Sequence, residues 1–364
     1  MANRVRGVYL SSFSPFFWIR EKIERIHFTR DTLRSLLPAF ISVGAVFVSL
    51  CIAFVYISIS TGTGFLDLWA AFYYAAFGSP SAIGRVLTKG THILIVTIGL
   101  IIAFKSGLFN LGGVGSMAVG AVLGAGAGLF LPLPIPIRII IGFGSGFLVA
   151  GAIAGVLGWF KSRFNIDEIF TTLMTGFVLV AILNYYINGP WGATGSAEAK
   201  TPVVPGSFSY IFPGLTPLIF LALALIPIAY YLLNRTSLGF EMRVVGSGKS
   251  VAQNQGINTS KIAIISMFLS GGICALAGAG QVYGDMTRIV VGMPGYFGFY
   301  AIPAAVMIDY KPQYAFFSSI FLSIIIMGSL GLTSVGVIAD FGEMLIGIVF
   351  IVTVAVRRLG RKKQ

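Results

Sequence analysis

Ten long apolar stretches decide what this chain can fold into. They cover residues 36–60, 83–104, 110–131, 137–160, 168–188, 213–233, 262–283, 294–308, 313–332 and 338–356. A helix needs about 20 apolar residues to cross a bilayer. The stretches are continuous rather than alternating, so they read as helices and not as barrel strands. The eighth is short, and the second carries Arg85 and Lys89 in its first turns. The expected fold is therefore all-α: a polytopic membrane protein of nine or ten transmembrane helices, some short or broken. Only 10% of the 364 residues are charged, against about 25% in soluble domains. That is too little charge to cover a water-facing surface.

Lys and Arg collect on the cytoplasmic side of membrane proteins and so set orientation. With ten spans and the N-terminus inside, the inner segments hold 20 of the 25 Lys and Arg residues. The outer ones are Arg85, Lys89, Arg138, Lys200 and Arg288. Both ends are basic, which places both termini in the cytoplasm, with the chain multi-pass in the cell membrane. The net charge of +13 is thereby a topology signal. It is scattered over short loops and does not form the patch that nucleic acid would need.

Three segments follow. Residues 1–35 form a basic amphipathic segment, "FFWIREKIERIHFTRDTLRSLL" at its centre. It either lies along the inner membrane surface, with Trp18 at the headgroups, or is a solvated basic tail. Residues 36–356 form the transmembrane domain, with a cytoplasmic loop at 234–261, and residues 357–364 are a basic cytoplasmic tail. No cleavable signal peptide is expected, because the first apolar run begins past residue 35. The outer loop at 189–212, rich in Gly, Pro and Ser, reads as ordered but irregular.

Glycines stack at four-residue spacing: Gly120, Gly124 and Gly128; Gly142 and Gly146; Gly151 and Gly155. Small residues so placed let helix backbones approach closely in lipid. The stretch "KSGLFNLGGVGSM" interrupts two apolar runs with almost no loop. It is either a broken helix lining a polar path, as transporters use, or a tight cytoplasmic turn.

The chemistry-bearing residues are few. Cys51 and Cys274 lie in apolar spans and suggest packing rather than a disulfide or a metal site. His27 and His92 stand alone in the sequence. No HExxH, paired His or Cys cluster is present, so neither a catalytic nor a metal site is expected. Asp340 and Glu343 sit near the outer end of the last span. They read as solvated caps, or else as functional intramembrane acids.

One motif invites a different reading. "RVVGSGKSVAQNQGI" contains GSGKS, the end of a phosphate-binding loop. The full motif needs Gly where Arg243 stands, and it needs a preceding buried strand where this chain has a membrane span. What remains is a short polar helix, capped by Ser247 or Ser250 and ended by Gly256. Such a helix is too short to be stable unless docked.

Four blocks in order carry a family resemblance: "AFKSGLFNLG", "RFNIDEIFTTLM", "LGFEMRVVGSGKSVAQNQGI" and "MFLSGGICALAGAGQVYG". With them, residues 36–356 resemble the permease subunit of an ABC importer, in the branch with ribose, branched-chain amino acid and nucleoside permeases, most like the nucleoside type. Departures occur where Val114, Ser116, Gly176 and Tyr300 replace polar residues usual in that subgroup. The resemblance implies a transport subunit that is not itself an enzyme. It implies separate ABC ATPase subunits carrying ATP and Mg²⁺, a second permease of the same or a related kind, and an extracytoplasmic solute-binding protein. It implies that the cytoplasmic loop docks on the ATPase through Arg243, Gly246, Lys249, Ala252, Gln255 and Gly256. Polarity within the spans and the matched blocks together nominate Phe109, Asn110, Ser116, Thr171, Thr172 and Asn184 to line the path of a nucleoside or sugar. The competing reading is an ion-coupled secondary transporter that uses Asp340 or Glu343.

Overall fold

The computed structural model describes residues 47, 48, 50–193, 198–338 and 341–361. The N-terminal amphipathic segment, Asp340 and the last residues of the basic tail lie outside these. The helices are α1 (Leu50–Thr61), α2 (Phe65–Phe77), α3 (Pro80–Lys105), α4 (Gly113–Phe130), α5 (Ile135–Phe164), α6 (Glu168–Asn188), α7 (Leu218–Arg235), α8 (Ser237–Ser247), α9 (Lys249–Asn254), α10 (Thr259–Tyr283), α11 (Phe297–Met307), α12 (Ala315–Gly331) and α13 (Phe341–Arg361). Among the described residues there are only two isolated β-bridges and no strand.

Each expected span holds a helix, but they are not equal. Among the described residues, seven helices are long and apolar enough to cross a membrane, counting α12 with its flanking turns, and an eighth if α1 and α2 form one bent span. The apolar helices Phe297–Met307 and Phe341–Val352 are shorter. Length and apolarity alone thus support seven or eight crossings, where ten stretches were read from the sequence.

One helix departs from the sequence reading. Residues 65–77, which lie between the first two apolar stretches, form α2, bent by 119° from α1. Its Leu68, Phe72 and Ala76 are buried, one four-residue stripe on one face. Trp69 packs edge-on against Phe54 with ring centroids 4.8 Å apart. A 13-residue helix is too short to register as a span.

α3 and α10 form the centre. In α3, 89% of the most apolar window is buried, and in α10, 72%. α4 and α5 pack on α10, while α12, α11 and α7 pack on α3. Close approach depends on the glycines. A Cβ on Gly120 would collide with the Ala275 carbonyl, and one on Gly278 with the Met117 carbonyl. Gly142 lies against Gly124 and Gly146 against Gly120, joining α5 to α4. The four-residue stripes are thus packing seams. Polar side chains in the core are spent locally: Ser323 donates to the Val86 carbonyl at 2.6 Å and the Tyr283 hydroxyl to the Gly124 carbonyl at 2.7 Å.

α6 is different. Only 17% of its apolar window is buried, and Phe170, Phe177, Val178, Ile182 and Tyr185 are all exposed. The described part of the 189–212 loop is irregular and runs beside the segment after α10. There the Thr201 N–H donates to the Ile289 carbonyl at 3.0 Å and the Val204 N–H to the Thr287 carbonyl at 2.8 Å.

Candidate functional site

Helix α3 stops at a tight turn. The Gly107 N–H donates to the Phe104 carbonyl at 3.0 Å, and the Leu108 N–H to the Ala103 carbonyl at 3.1 Å. This is a Schellman stop, which requires a left-handed residue just past the cap. Gly107 supplies it, with φ 74°. The stretch "KSGLFNLGGVGSM" thus holds a tight turn between α3 and α4. The chain after it nevertheless folds back inside, because Asn110 is only 1% exposed.

Asn110 is held from two sides. Its Nδ2 donates to Ser270 Oγ of α10 at 2.9 Å, and its Oδ1 accepts the Gly112 N–H at 2.9 Å. The next amide, Leu111 N–H, donates to Thr172 Oγ1 of α6 at 3.0 Å. The Thr172 hydroxyl in turn donates to the Glu168 carbonyl at 2.6 Å. Glu168 is itself buried and paired with Lys161 at 2.7 Å. The turn after α3 is thus tied to α10 and α6 by uncharged side chains, with one ion pair at the edge. Asn110, Ser116 and Thr172 line one cavity, with Gly112, Thr175 and Gly176. Its volume is about 10 Å³, enough for about one water, so little space is left between α4 and α6 there. The close fit has a backbone cause: a Cβ on Gly115 of α4 would sit 2.5 Å from the Gly176 Cα of α6.

The loop between α7 and α10 is built as two helices, not one. Thr236 caps α8 by accepting the Gly239 N–H at 3.1 Å. Arg243 folds back and donates to the Leu233 carbonyl and, at 3.5 Å, to Asn234 Oδ1, holding α8 against the end of α7. The N-cap of α9 is Gly248, with no side-chain cap. Neither Ser247 nor Ser250 plays the capping role expected from the sequence; Ser247 bonds the Val244 carbonyl within α8. Gly256, at φ 75°, ends the segment as expected, with the Ile257 N–H on the Ala252 carbonyl at 3.0 Å. GSGKS therefore spans the joint between two helices, with no strand before it among the described residues.

The α8–α9 unit meets the turn after α3. A Cβ on Gly246 would collide with the Lys105 carbonyl and lie 3.1 Å from the Gly107 nitrogen. Backbone touches backbone where α8 meets the turn that leads to Asn110.

Comparison with known families settles the class at this point. The family described as branched-chain amino acid transport system / permease component matches residues 82–354. The chain belongs to that family. It is an ABC importer permease of the branch that its sequence blocks resemble. The permease is 26% identical over 257 residues to a glucose ABC transporter permease of Haloferax volcanii, covering 66% of this chain and 67% of that one. It is 27% identical over 245 residues to a guanosine ABC transporter permease of Bacillus subtilis, covering 64% and 67%. It is 23% identical over 295 residues to a nucleoside ABC transporter permease of Lactococcus lactis, covering 75% and 80%.

Of the six residues nominated for the path, the permease brings three together: Asn110, Ser116 and Thr172. Phe109 is exposed and leans on Phe104, ring centroids 5.3 Å apart. The Thr171 hydroxyl bonds the Asp167 carbonyl at 3.0 Å, within its own helix. Asn184 sits three turns along α6, its Oδ1 buried and without a protein partner. In the loop, Gly246, Lys249, Gln255 and Gly256 are exposed, and Arg243 is half-buried. Ala252 is fully buried; it faces the permease itself, so no contact with another chain reaches it in this conformation.

Sequence reasoning missed Ser270 and the cluster of Lys89, His92 and Asp285. Ser270, the partner of Asn110, looks like any small residue in an apolar helix. His92 does not stand alone: its Nε2 lies 3.2 Å from Asp285 Oδ1, while Lys89 Nζ lies 2.6 Å from Asp285 Oδ2. The signal was there in part, since Lys89 and His92 are three apart and so share a helix face. Their acid, however, is 193 residues from His92 along the chain.

Proposed function

We propose that this permease forms half of the translocation path of a binding-protein-dependent importer for a small neutral polar solute, a nucleoside or a sugar. ATP, with Mg²⁺, is hydrolysed on separate ATPase subunits. The observation that carries the proposal is the contact of Gly246 with the Lys105–Gly107 turn. It joins the loop expected to dock on an ATPase to the segment that positions Asn110. A rigid element in contact with both sites is what coupling requires.

The class of solute is supported by the cavity wall, which offers Asn, Ser and Thr side chains and no charge. It is supported also by relatives named for glucose, guanosine and nucleosides. A second permease, the same or a related one, completes the path; the exposed apolar face of α6 is open to lipid or to that partner. On this reading Gly246, Lys249, Gln255 and Gly256 present the docking surface, with Arg243 and Ala252 holding its two helices in place. Both termini lie in the cytoplasm, as the distribution of Lys and Arg supports.

The test is uptake of radiolabelled guanosine, ribose and glucose by cells producing the permease with and without its ATPase subunit. Uptake that needs both chains is the expected result. Uptake or ATP hydrolysis by the permease alone would overturn it, and uptake that follows an ion gradient instead of ATP would establish the secondary-transporter reading.

A further inference from the structure

At the end of the bundle away from α8 and α9 lies a second, larger cavity of about 260 Å³. Its lining includes Lys89 of α3, Gln281 of α10, Met293 and Phe297 beyond it, and Ile326 and Leu330 of α12. Lys89 precedes the end of α3 by sixteen residues, about 24 Å of helix. The cavity is therefore separate from the Asn110 cluster. Its volume approaches the lower end of small-molecule sites, about 300 Å³.

Two polar groups stand out against the apolar wall. Gln281 is 1% exposed. Its Nε2 donates to the Pro294 carbonyl at 3.2 Å, but its Oε1 has no protein partner and is closed to a water-sized probe in this conformation, so a solute in the cavity reaches it only with a small opening of the wall. A buried amide oxygen left bare costs about 1–3 kcal/mol, so a donor is called for. Lys89 offers the complementary chemistry. Its ammonium has three donors, and Asp285 takes one at 2.6 Å. The same ammonium lies 5.5 Å from the Phe297 ring centroid. Asp285 balances the charge of Lys89, so the pair gives no net attraction to an ion of either sign. An acceptor, a donor and an apolar wall around a space of this size suit a small neutral ring compound carrying hydroxyl or N–H groups.

We propose that this cavity is a binding subsite for the transported solute, formed within one permease chain. Gln281 Oε1 accepts a hydrogen bond from the solute, Lys89 donates one, and the side chains of Phe297, Met293, Ile326 and Leu330 cover its apolar face. The subsite rests on the transport reading above: solute meets it before, or after, the Asn110 level, about one helix length away.

The experiment uses the assembled importer in membranes, with guanosine, ribose and glucose as probes. Gln281→Met removes the bare acceptor while keeping the size of the side chain. It should raise the KM for the transported probe about tenfold, the loss of one buried hydrogen bond, with Vmax little changed. Independently, Leu330→Cys in a Cys51→Ser background should react with a maleimide, and saturating transported probe should slow that reaction. This second measurement leaves Gln281 untouched and so survives any misfolding of the first variant. An unchanged KM, or labelling that no probe slows, overturns the subsite even where ATPase-dependent uptake stands, and marks the cavity as water-filled only. Loss of ATPase dependence instead overturns the transport reading.

Discussion

Gly107 and Gly246 meet without side chains between them: a Cβ on Gly107 would lie 3.2 Å from the Cα of Gly246. The two residues belong to different parts of the permease, one at the stop of α3 and one near the end of α8. The contact is too close for any other residue type without movement of backbone.

Gly246→Val should uncouple the importer. Forcing the α8 backbone from the turn by overpacking costs about 1–3 kcal/mol, which as a coupling term is about 5- to 150-fold. ATP hydrolysis by the assembled complex should persist while uptake per ATP falls by that order. Gly248→Ala is the control. Gly248 has an extended backbone and meets only the Val251 side chain, at 3.5 Å. Both quantities are read in proteoliposomes, and equal loss in the two variants would disprove the relay.

Asn110→Leu should destabilise the permease by about 1–3 kcal/mol, because it leaves the Gly112 amide and the Ser270 hydroxyl unpaired in the interior. Thermal unfolding in detergent measures this as a lowered midpoint. Asn110→Ala combined with Ser270→Ala should cost less than the sum of the single changes, as residues sharing one hydrogen bond do. Strict additivity would mean that the 2.9 Å bond carries no energy.

The α4–α10 seam should tolerate nothing larger than Gly. Gly278→Leu drives a side chain into the Met117 carbonyl and should cost about 1–3 kcal/mol or more, seen as loss of monodisperse protein on size exclusion. Gly144→Leu on α5 should be harmless, since nothing lies within 4 Å of its Cβ position.

On α9, neighbours should behave in opposite ways. Lys249 is exposed, so Lys249→Ala should leave the fold and nucleotide binding by the complex intact and weaken only the association of permease with ATPase. Ala252 is fully buried, so Ala252→Asp should unseat the helix, at a cost of several kcal/mol for an unpaired charge. Co-purification of the two chains distinguishes them. Dependence of nucleotide binding on Lys249 would reinstate the phosphate-loop reading.

Much of this architecture is legible in the sequence, for physical reasons. The apolar runs are spans because lipid tolerates little else. Gly120, Gly124, Gly142 and Gly146 announce a seam because spacing of four fixes one helix face. Asn110 and Thr172 stand out as polar groups where desolvation is costly. What escapes is pairing. Nothing local distinguishes Ser270 from other small residues of α10, and Asp285 lies far along the chain from Lys89 and His92. Ala252 was misread for a related reason: in a polar six-residue helix, only tertiary contact decides which side is covered. The helix α2 escaped because its 13 residues match neither a span nor a loop.

The stop at Gly107 closes with hydrogen bonds from its own backbone, three residues before Asn110. A turn fastened to itself has little slack. On the proposed relay, a displacement of α8 at Gly246 would pass to Asn110 through this turn as through a lever arm, not as through a spring. On the proposed function, the solute moved per ATP spent would then depend on the stiffness of a few peptide units that touch neither solute nor nucleotide.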